Sequence, residues 1–450
     1  MPIKDIEGYS EWSKDLNALL RMLRDKGGRK FYVKYLAEND NSKNQPYLGS
    51  GFEALNIFPF ANPYADNEKG RANFKAKLNF AWISDDGEES VAPHAQLILY
   101  PKYPEVRFSG FLRDCSNRPS SFMSKRMKGR VIFFAITDSG KVLGHVIGNK
   151  SSIKKELEEF LGTKAAEGVL LEIPYKDEKL IENTEEELLK ELLRIHRDGW
   201  IKSKRLSRGK ILKSCKASNC VGYTLEAELG IIPNGYSDPD FLGWEVKGHT
   251  VSQFNKFKSG VITLMTPEPT GGFYKEKGVE DFVVKYGYPD KNGKPDRLNF
   301  GGIHKVGNKH KNTGLTLTLI GYDQESRTIK DSSGGIALVS SKGQIAALWD
   351  FSGLIAHWNR KHAQAVYVPS MKDDVSELKY SYGNIVRLCT GTNFLKLLRA
   401  ISSGNVYYDP GIKLENVSTK PKTKRRSQFR IHSKDIPTLY ENTREKNLLE

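Results

Sequence analysis

Asp240, Glu245 and Lys247 fall in one short stretch, Asp240-Phe241-Leu242-Gly243-Trp244-Glu245-Val246-Lys247. The apolar run from Phe241 reads as a half-buried strand, and residues two apart in a strand point to one face, so Glu245 and Lys247 share a side. Two carboxylates beside an ammonium are expensive to leave unpaired in such a place. A divalent cation would pair with them. Oxygen ligands from Asp240 and Glu245, with the carbonyl of Val246, suit Mg²⁺, which keeps several of its waters. Such an ion stabilises charge on a reacting phosphate and lowers the pKa of an attacking water. Lys247 would then orient or deprotonate that water and touch the scissile phosphate. The predicted chemistry is phosphodiester hydrolysis. A D-x4-E-x-K string also arises by chance on exposed charged strands. Here Pro239 precedes Asp240, apolar residues interleave with the charged ones, and a helix bearing Glu226 lies just upstream.

Several motifs in fixed order extend this reading. "VGYTLEAELGI" followed by "DPDFLGWEVKGH" resembles the core of the MutH-like nucleases of the PD-(D/E)xK superfamily, and more closely the MvaI/BcnI restriction endonucleases. The resemblance spans roughly 195–435 and includes "DGWIKSKRLSRGK", "ITLMTPEPT" and "KYGYPDKNGK". It implies a Mg²⁺-dependent, site-specific endonuclease acting on double-stranded DNA. Asp240 and Glu245 (with Val246) would hold the metal, Lys247 would be the catalytic lysine, and Glu226 the helix carboxylate at the edge of the site. A repair-type nicking endonuclease and a non-catalytic sequence-specific regulator are the rival readings. The intact Asp240/Glu245/Lys247 set argues against the regulator.

Three basic segments are candidates for DNA contact. The first, 202–219, supplies Lys202, Lys204, Arg205, Arg208 and Lys210. The second, 304–314, supplies His304, Lys305, Lys309 and Lys311, and the third, 418–434, supplies Lys422, Lys424, Arg425, Arg426 and Arg430. Most lysines in such loops touch phosphate without reading sequence. Phe429-Arg430-Ile431 matches a Phe-Arg-Ile of the family whose arginine reads guanine, and arginine can bond both major-groove acceptors of that base. The chain departs from the family at "YYDPG", where Asp409 stands in place of a base-reading arginine, and at Thr423 and Arg425, where the family has histidines.

The elements that must position these residues fall into two predicted domains. Residues 1–175 read as mostly β, opened by a helix in "SEWSKDLNALLRMLRDKG" whose Trp12, Leu16, Leu19, Leu20 and Leu23 recur at helical spacing. "KFYVKYLAENDNSKN" faintly resembles the effector-binding domain of EcoRII-type enzymes, a B3-like pseudobarrel. That implies a two-domain, UbaLAI-like enzyme with a second DNA copy bound at the N-terminal domain. A charged junction around 173–184 leads to an α/β (α+β) domain over 184–450 with a mixed central sheet. It opens with "TEEELLKELLRIHRDGW", in which Thr184 and Glu187 form a capping box. "FLGWEVKGH" reads as strand, and "ALWDFSGLIAHWNRK" and "GTNFLKLLRAISSG" as helices.

Charge separates the two halves. Residues 1–198 hold 31 Lys+Arg against 30 Asp+Glu, whereas 199–450 hold 39 against 24, nearly all of the net +16. Basic excess confined to one half marks a polyanion binder, and without a basic amphipathic helix nucleic acid is favoured over membrane. Within the neutral half, 111–130 carries Arg113, Arg118, Lys125, Arg126, Lys128 and Arg130 against Asp114, a candidate DNA-facing loop. Cys115, Cys215, Cys220 and Cys389 read as free thiols of a reducing cytoplasm, which the family resemblance implies is bacterial or archaeal. No stretch reads as a transmembrane helix, and a monomer is expected.

Overall fold

The computed structural model describes residues 9, 12, 14–50, 53–61, 63–66, 72–151, 153–161, 170–173, 184–207, 211–217, 219–232 and 240–450. The chain divides into two compact units, Met1–Ile181 and Glu182–Glu450. Most of the predicted junction, residues 174–183, lies outside the described residues. Among the described residues no helix is long and apolar enough to cross a membrane.

The first unit is built from two sheets. One runs in the order Leu171–Ile173, Gly28–Tyr35, Val131–Thr137, Val142–Ile147, Phe80–Ile83, Glu89–Val91, and its Val142–Ile147 strand lies parallel to Phe80–Ile83. The other runs Tyr47–Ser50, Glu105–Ser109, Gln96–Tyr100, Asn73–Lys77, Tyr64–Asp66. The helix Leu16–Asp25 buries Leu16, Leu19, Leu20 and Leu23. It starts later than its apolar pattern suggests, because the Asp15 carboxylate accepts the Ala18 N–H at 2.7 Å and caps it. Trp12 is buried ahead of the helix.

Arg130 departs from the reading of 111–130 as a DNA-facing basic loop. Its guanidinium is fully buried and donates to the carbonyls of Phe122 (2.6 Å), Met127 (2.8 Å) and Asp40 (2.8 Å). Those bonds satisfy a buried charge with backbone dipoles, so Arg130 pins loops together. Lys125, Arg126 and Lys128 are exposed.

The second unit is organised by a mixed sheet. The strand Glu245–Thr250 pairs in parallel with Gln364–Asp373, from Glu245 opposite Ala365 to Thr250 opposite Ser370. Gln364–Asp373 pairs antiparallel on its other side with Lys379–Tyr382 and Ile385–Thr390. These in turn pair with Ile201–Lys202 and Asn442–Asn447. The helix Thr184–Arg197 packs Leu188, Leu192 and Ile195 into a core shared with Leu225, Trp244, Val246 and Val366. Thr184 is already helical, so the expected cap position falls one residue earlier, at 183, outside the described residues.

Two elements differ from expectation. Residues 345–350 form a strand, Ile345–Asp350, and the helix begins only at Phe351 because the Asp350 side chain accepts the Gly353 N–H at 2.8 Å. The apolar run 241–244 is a tight turn: Phe241 and Trp244 exchange backbone hydrogen bonds of 2.9 and 2.7 Å. Leu242 and Gly243 both take positive φ, 47° and 89°, as turns of this hand require.

Candidate active site

That turn delivers Asp240 to the edge of the strand it precedes. Asp240 Oδ2 accepts the Val246 N–H at 3.1 Å. A residue's N–H and C=O leave a strand on the same edge, so the Val246 carbonyl faces the Asp240 side as well. One residue earlier, the Glu245 side chain is wholly buried.

Glu245 Oε1 binds the Lys247 ammonium, confirming that the two side chains share a face. A second ammonium, that of Lys361, lies 3.5 Å from Glu245 Oε1 and 3.9 Å from Asp240 Oδ1. Lys361 comes from the end of the helix Phe351–His362 and was not anticipated from the sequence. Nothing local marks it, because only the parallel pairing of Glu245–Thr250 with Gln364–Asp373 brings that helix end to the carboxylates. Glu226, on the helix Cys220–Glu228, is in electrostatic reach of Asp240, Lys247 and Lys361. The structure thus brings together all four residues predicted to do chemistry.

The charges shift one another. Burial, and then the Asp240 charge, push Glu226 up to about 7 against the pull of Lys247 and Lys361. Burial raises Glu245 to about 7 as well, with Lys247 opposing. Lys247 is disfavoured as a cation by burial, yet the Glu245 and Asp240 carboxylates outweigh this and raise its pKa.

Among the described residues no cluster of three or more His, Cys, Asp and Glu side chains forms a metal site. Glu245 Oε2 is nevertheless buried with no hydrogen-bond donor, and the carboxyl it neighbours is that of Asp240, a costly arrangement for two carboxylates. Mg²⁺ commonly takes one or two carboxylates and completes its shell with waters and substrate phosphate. Glu245, Asp240 and the Val246 carbonyl fit that demand. His249, of the Glu-x-Lys-x-His string, is buried, and its Nε2 lies 3.0 Å from the Phe257 carbonyl.

The basic segments behave differently from one another. Two of them converge. His304 exchanges backbone bonds with Tyr408 of the strand Val406–Tyr408, which pairs with Phe429–His432 and sets Tyr407 opposite Arg430. Lys305 lies over the Tyr407 ring at 5.7 Å. Arg430 is half-buried and its Nη1 donates to Asp409 Oδ2 at 2.6 Å, so the residue that departs from the family pattern orients the arginine. Lys309, Lys311, Lys422, Arg425 and Arg426 are exposed, as is Lys424, which pairs with Glu415 at 3.0 Å.

His304 itself is a correction. It is 0% exposed, stacked between Phe300 and His310, with both ring nitrogens hydrogen-bonded, to Gly302 and Thr313. Its role is to pack the loop. Lys204 is committed to Glu228 at 2.5 Å, and Lys202 pairs with Glu377 at 3.2 Å. Arg205 is exposed on the hairpin Lys204–Ser207/Ile211–Ser214, while Arg208 and Lys210 lie outside the described residues. Cys215 and Cys220, read as free thiols, are joined by a disulfide with Cα atoms 5.8 Å apart. Cys215 follows the end of that hairpin and Cys220 opens the Glu226 helix. Cys115 and Cys389 are free and buried.

The sequence profile of the MvaI/BcnI restriction endonuclease family matches residues 189–440. Among solved structures the chain is similar to the restriction endonuclease MvaI in complex with cognate DNA, at 19% identity and TM-score 0.44, over 59% of this chain and 99% of that one. It is similar to MvaI without DNA at 17% identity and TM-score 0.33, over 59% and 98%. It is also similar to the B3 domain of the UbaLAI restriction endonuclease with cognate DNA, at 18% identity and TM-score 0.24, over 35% and 95%. No curated protein matches the chain.

Proposed function

Since the chain belongs to the MvaI/BcnI restriction endonuclease family, we propose that it is a site-specific endonuclease that hydrolyses double-stranded DNA at the Asp240/Glu245/Lys247 site. The observation that carries this is the convergence of Asp240, Glu245 and Lys247, with Glu226 in reach, around a buried carboxylate oxygen that lacks a hydrogen-bond donor. Asp240, Glu245 and the Val246 carbonyl would hold Mg²⁺, which supplies charge stabilisation at the phosphate and activates water. Lys247, in contact with Glu245, would donate to a non-bridging oxygen of the scissile phosphate and stabilise the negative charge that builds up there. Glu226, poised near neutrality, holds or releases a proton at the edge of the site. Lys247 would also orient or deprotonate the attacking water.

DNA would be positioned by the paired segments around Lys305 and Arg430, with Lys309, Lys311, Lys422, Lys424, Arg425 and Arg426 contacting phosphate. Arg430, aimed by Asp409, is the proposed guanine reader. The first unit, with its two-sheet β build and exposed Lys125, Arg126 and Lys128, is the proposed B3-like module for a second DNA copy. The enzyme would work as a monomer in a bacterial or archaeal cell.

Digestion of plasmid DNA by the purified chain, followed by sequencing of the ends, tests the reading. Double-strand breaks at one short sequence are expected with Mg²⁺, and binding without cutting with Ca²⁺, whose coordination is longer and looser. Nicks that require added partner proteins would point to the repair-type alternative. Absence of any Mg²⁺-dependent cutting would remove the proposal.

A further inference from the structure

Lys361 carries an inference that rests on the hydrolysis reading of this same site. Its Nζ lies between the two predicted metal-binding carboxylates, 3.5 Å from Glu245 and 3.9 Å from Asp240. Lys247 contacts Glu245 from the same strand, whereas Lys361 reaches both acids from another element, the end of the helix Phe351–His362. Its side chain is 19% exposed and so keeps access to solvent. His357, four residues earlier and therefore on the same helix face, is held down to about 4 by burial and then by the two lysines. It adds no charge near neutral pH.

Position explains why Lys361 must yield when a metal binds. Its ammonium lies within 4 Å of both Asp240 and Glu245, the two carboxylates a divalent ion would need. An ion there would set two like-charged groups on the same pair of carboxylates, where they repel. A phosphodiester beside the site would offer the displaced ammonium a new acceptor.

We propose that Lys361 is a second active-site cation: it bridges Asp240 and Glu245, yields them to the divalent ion, and turns to the scissile phosphate. Lys361 thereby weakens metal binding to the DNA-free protein and couples it to the arrival of substrate. A brace that merely aligned the carboxylates would do the opposite, since its loss would weaken metal binding.

The full-length chain and its K361M and K361R variants decide between these. Mn²⁺ affinity without DNA is measured by calorimetry, and single-turnover cleavage of plasmid DNA is followed in Mg²⁺. K361M should bind Mn²⁺ tighter by roughly fivefold or more and cut slower by about a hundredfold. K361R should keep wild-type Mn²⁺ affinity and recover part of the rate. If K361M does not fold by circular dichroism, K361Q replaces it in the same measurements. Unchanged or weaker Mn²⁺ binding by the neutral variant, or an undiminished cleavage rate, overturns the proposal. A wild-type chain that neither binds Mn²⁺ nor cuts DNA overturns the hydrolysis reading instead.

Discussion

Asp240 and Val246 are joined by a 3.1 Å hydrogen bond from the Val246 N–H to Asp240 Oδ2, closing the turn formed by Phe241, Leu242, Gly243 and Trp244. This bond fixes one carboxylate at the strand edge beside the buried Glu245. The D-x4-E spacing is the length of that turn.

The turn should therefore control catalysis without touching substrate. Gly243 takes φ 89°, where a β-branched residue is strained by about 1–2 kcal/mol. Gly243→Val should lower cleavage at least tenfold while leaving DNA affinity within about twofold. Asp240→Ala and Lys247→Ala should abolish cleavage and retain binding. Parallel gel-shift and plasmid assays check this; a Gly243→Val enzyme with normal turnover would show that the turn does not place Asp240.

The acidic groups of the site make stability depend on pH in a particular direction. Glu226 is raised from its ordinary carboxylate value to about 7, so the folded state binds its proton more tightly than the unfolded chain does. Its favourable contribution is complete below the unfolded value, and it is lost as pH rises through about 7. Glu226→Gln should therefore match wild type near pH 4, below the ordinary carboxylate value, and exceed it in Tm near pH 8, both in a chelator. Thermal melts at the two pH values check the sign. A Tm difference that is flat across this range would mean that Glu226 is not held near neutrality.

The paired DNA-facing segments should separate into readers, phosphate contacts and scaffold. Arg430→Ala should lose about 1–3 kcal/mol at one base position, and Asp409→Ala should weaken the same discrimination by releasing the guanidinium. Lys422→Ala should weaken binding to every sequence and reduce the salt slope by about 1. His304→Ala should leave the salt slope alone and lower stability by roughly 2–4 kcal/mol through the packing it removes. A panel of single-substituted duplexes, titrated at several salt concentrations, distinguishes the three patterns. Uniform loss of affinity in Arg430→Ala would reduce that residue to a phosphate contact.

In the first unit, Arg130→Ala should destabilise by about 3 kcal/mol or more, because it strands several buried carbonyls. The triple change Lys125→Ala, Arg126→Ala, Lys128→Ala should leave Tm nearly unchanged and reduce DNA binding by the full-length chain. Thermal melts and gel shifts of both variants check the contrast. Unaltered DNA binding by the triple variant would take the 111–130 loop out of any DNA-binding surface.

What the amino-acid order settled by itself is local. Alternation in a strand puts Glu245 and Lys247 on one face whatever surrounds them, and the Gly-containing turn keeps Asp240 near. The charge imbalance between the halves needs no coordinates. Helix stripes such as Leu16, Leu19, Leu20 and Leu23 follow from the 3.6-residue period. Tertiary structure decided which charged residues are available. Arg130 and His304 look like their neighbours in sequence, yet one is spent on buried carbonyls and the other on a ring stack. Arg430 acquires its orientation from Asp409 across a sheet pairing. Lys361 enters the site only because two strands about 120 residues apart lie parallel, with Glu245 beside Ala365. Periodicity describes neighbours along the chain, while pairing across such a distance depends on how the whole core closes, and that is where the second lysine of the site was hidden.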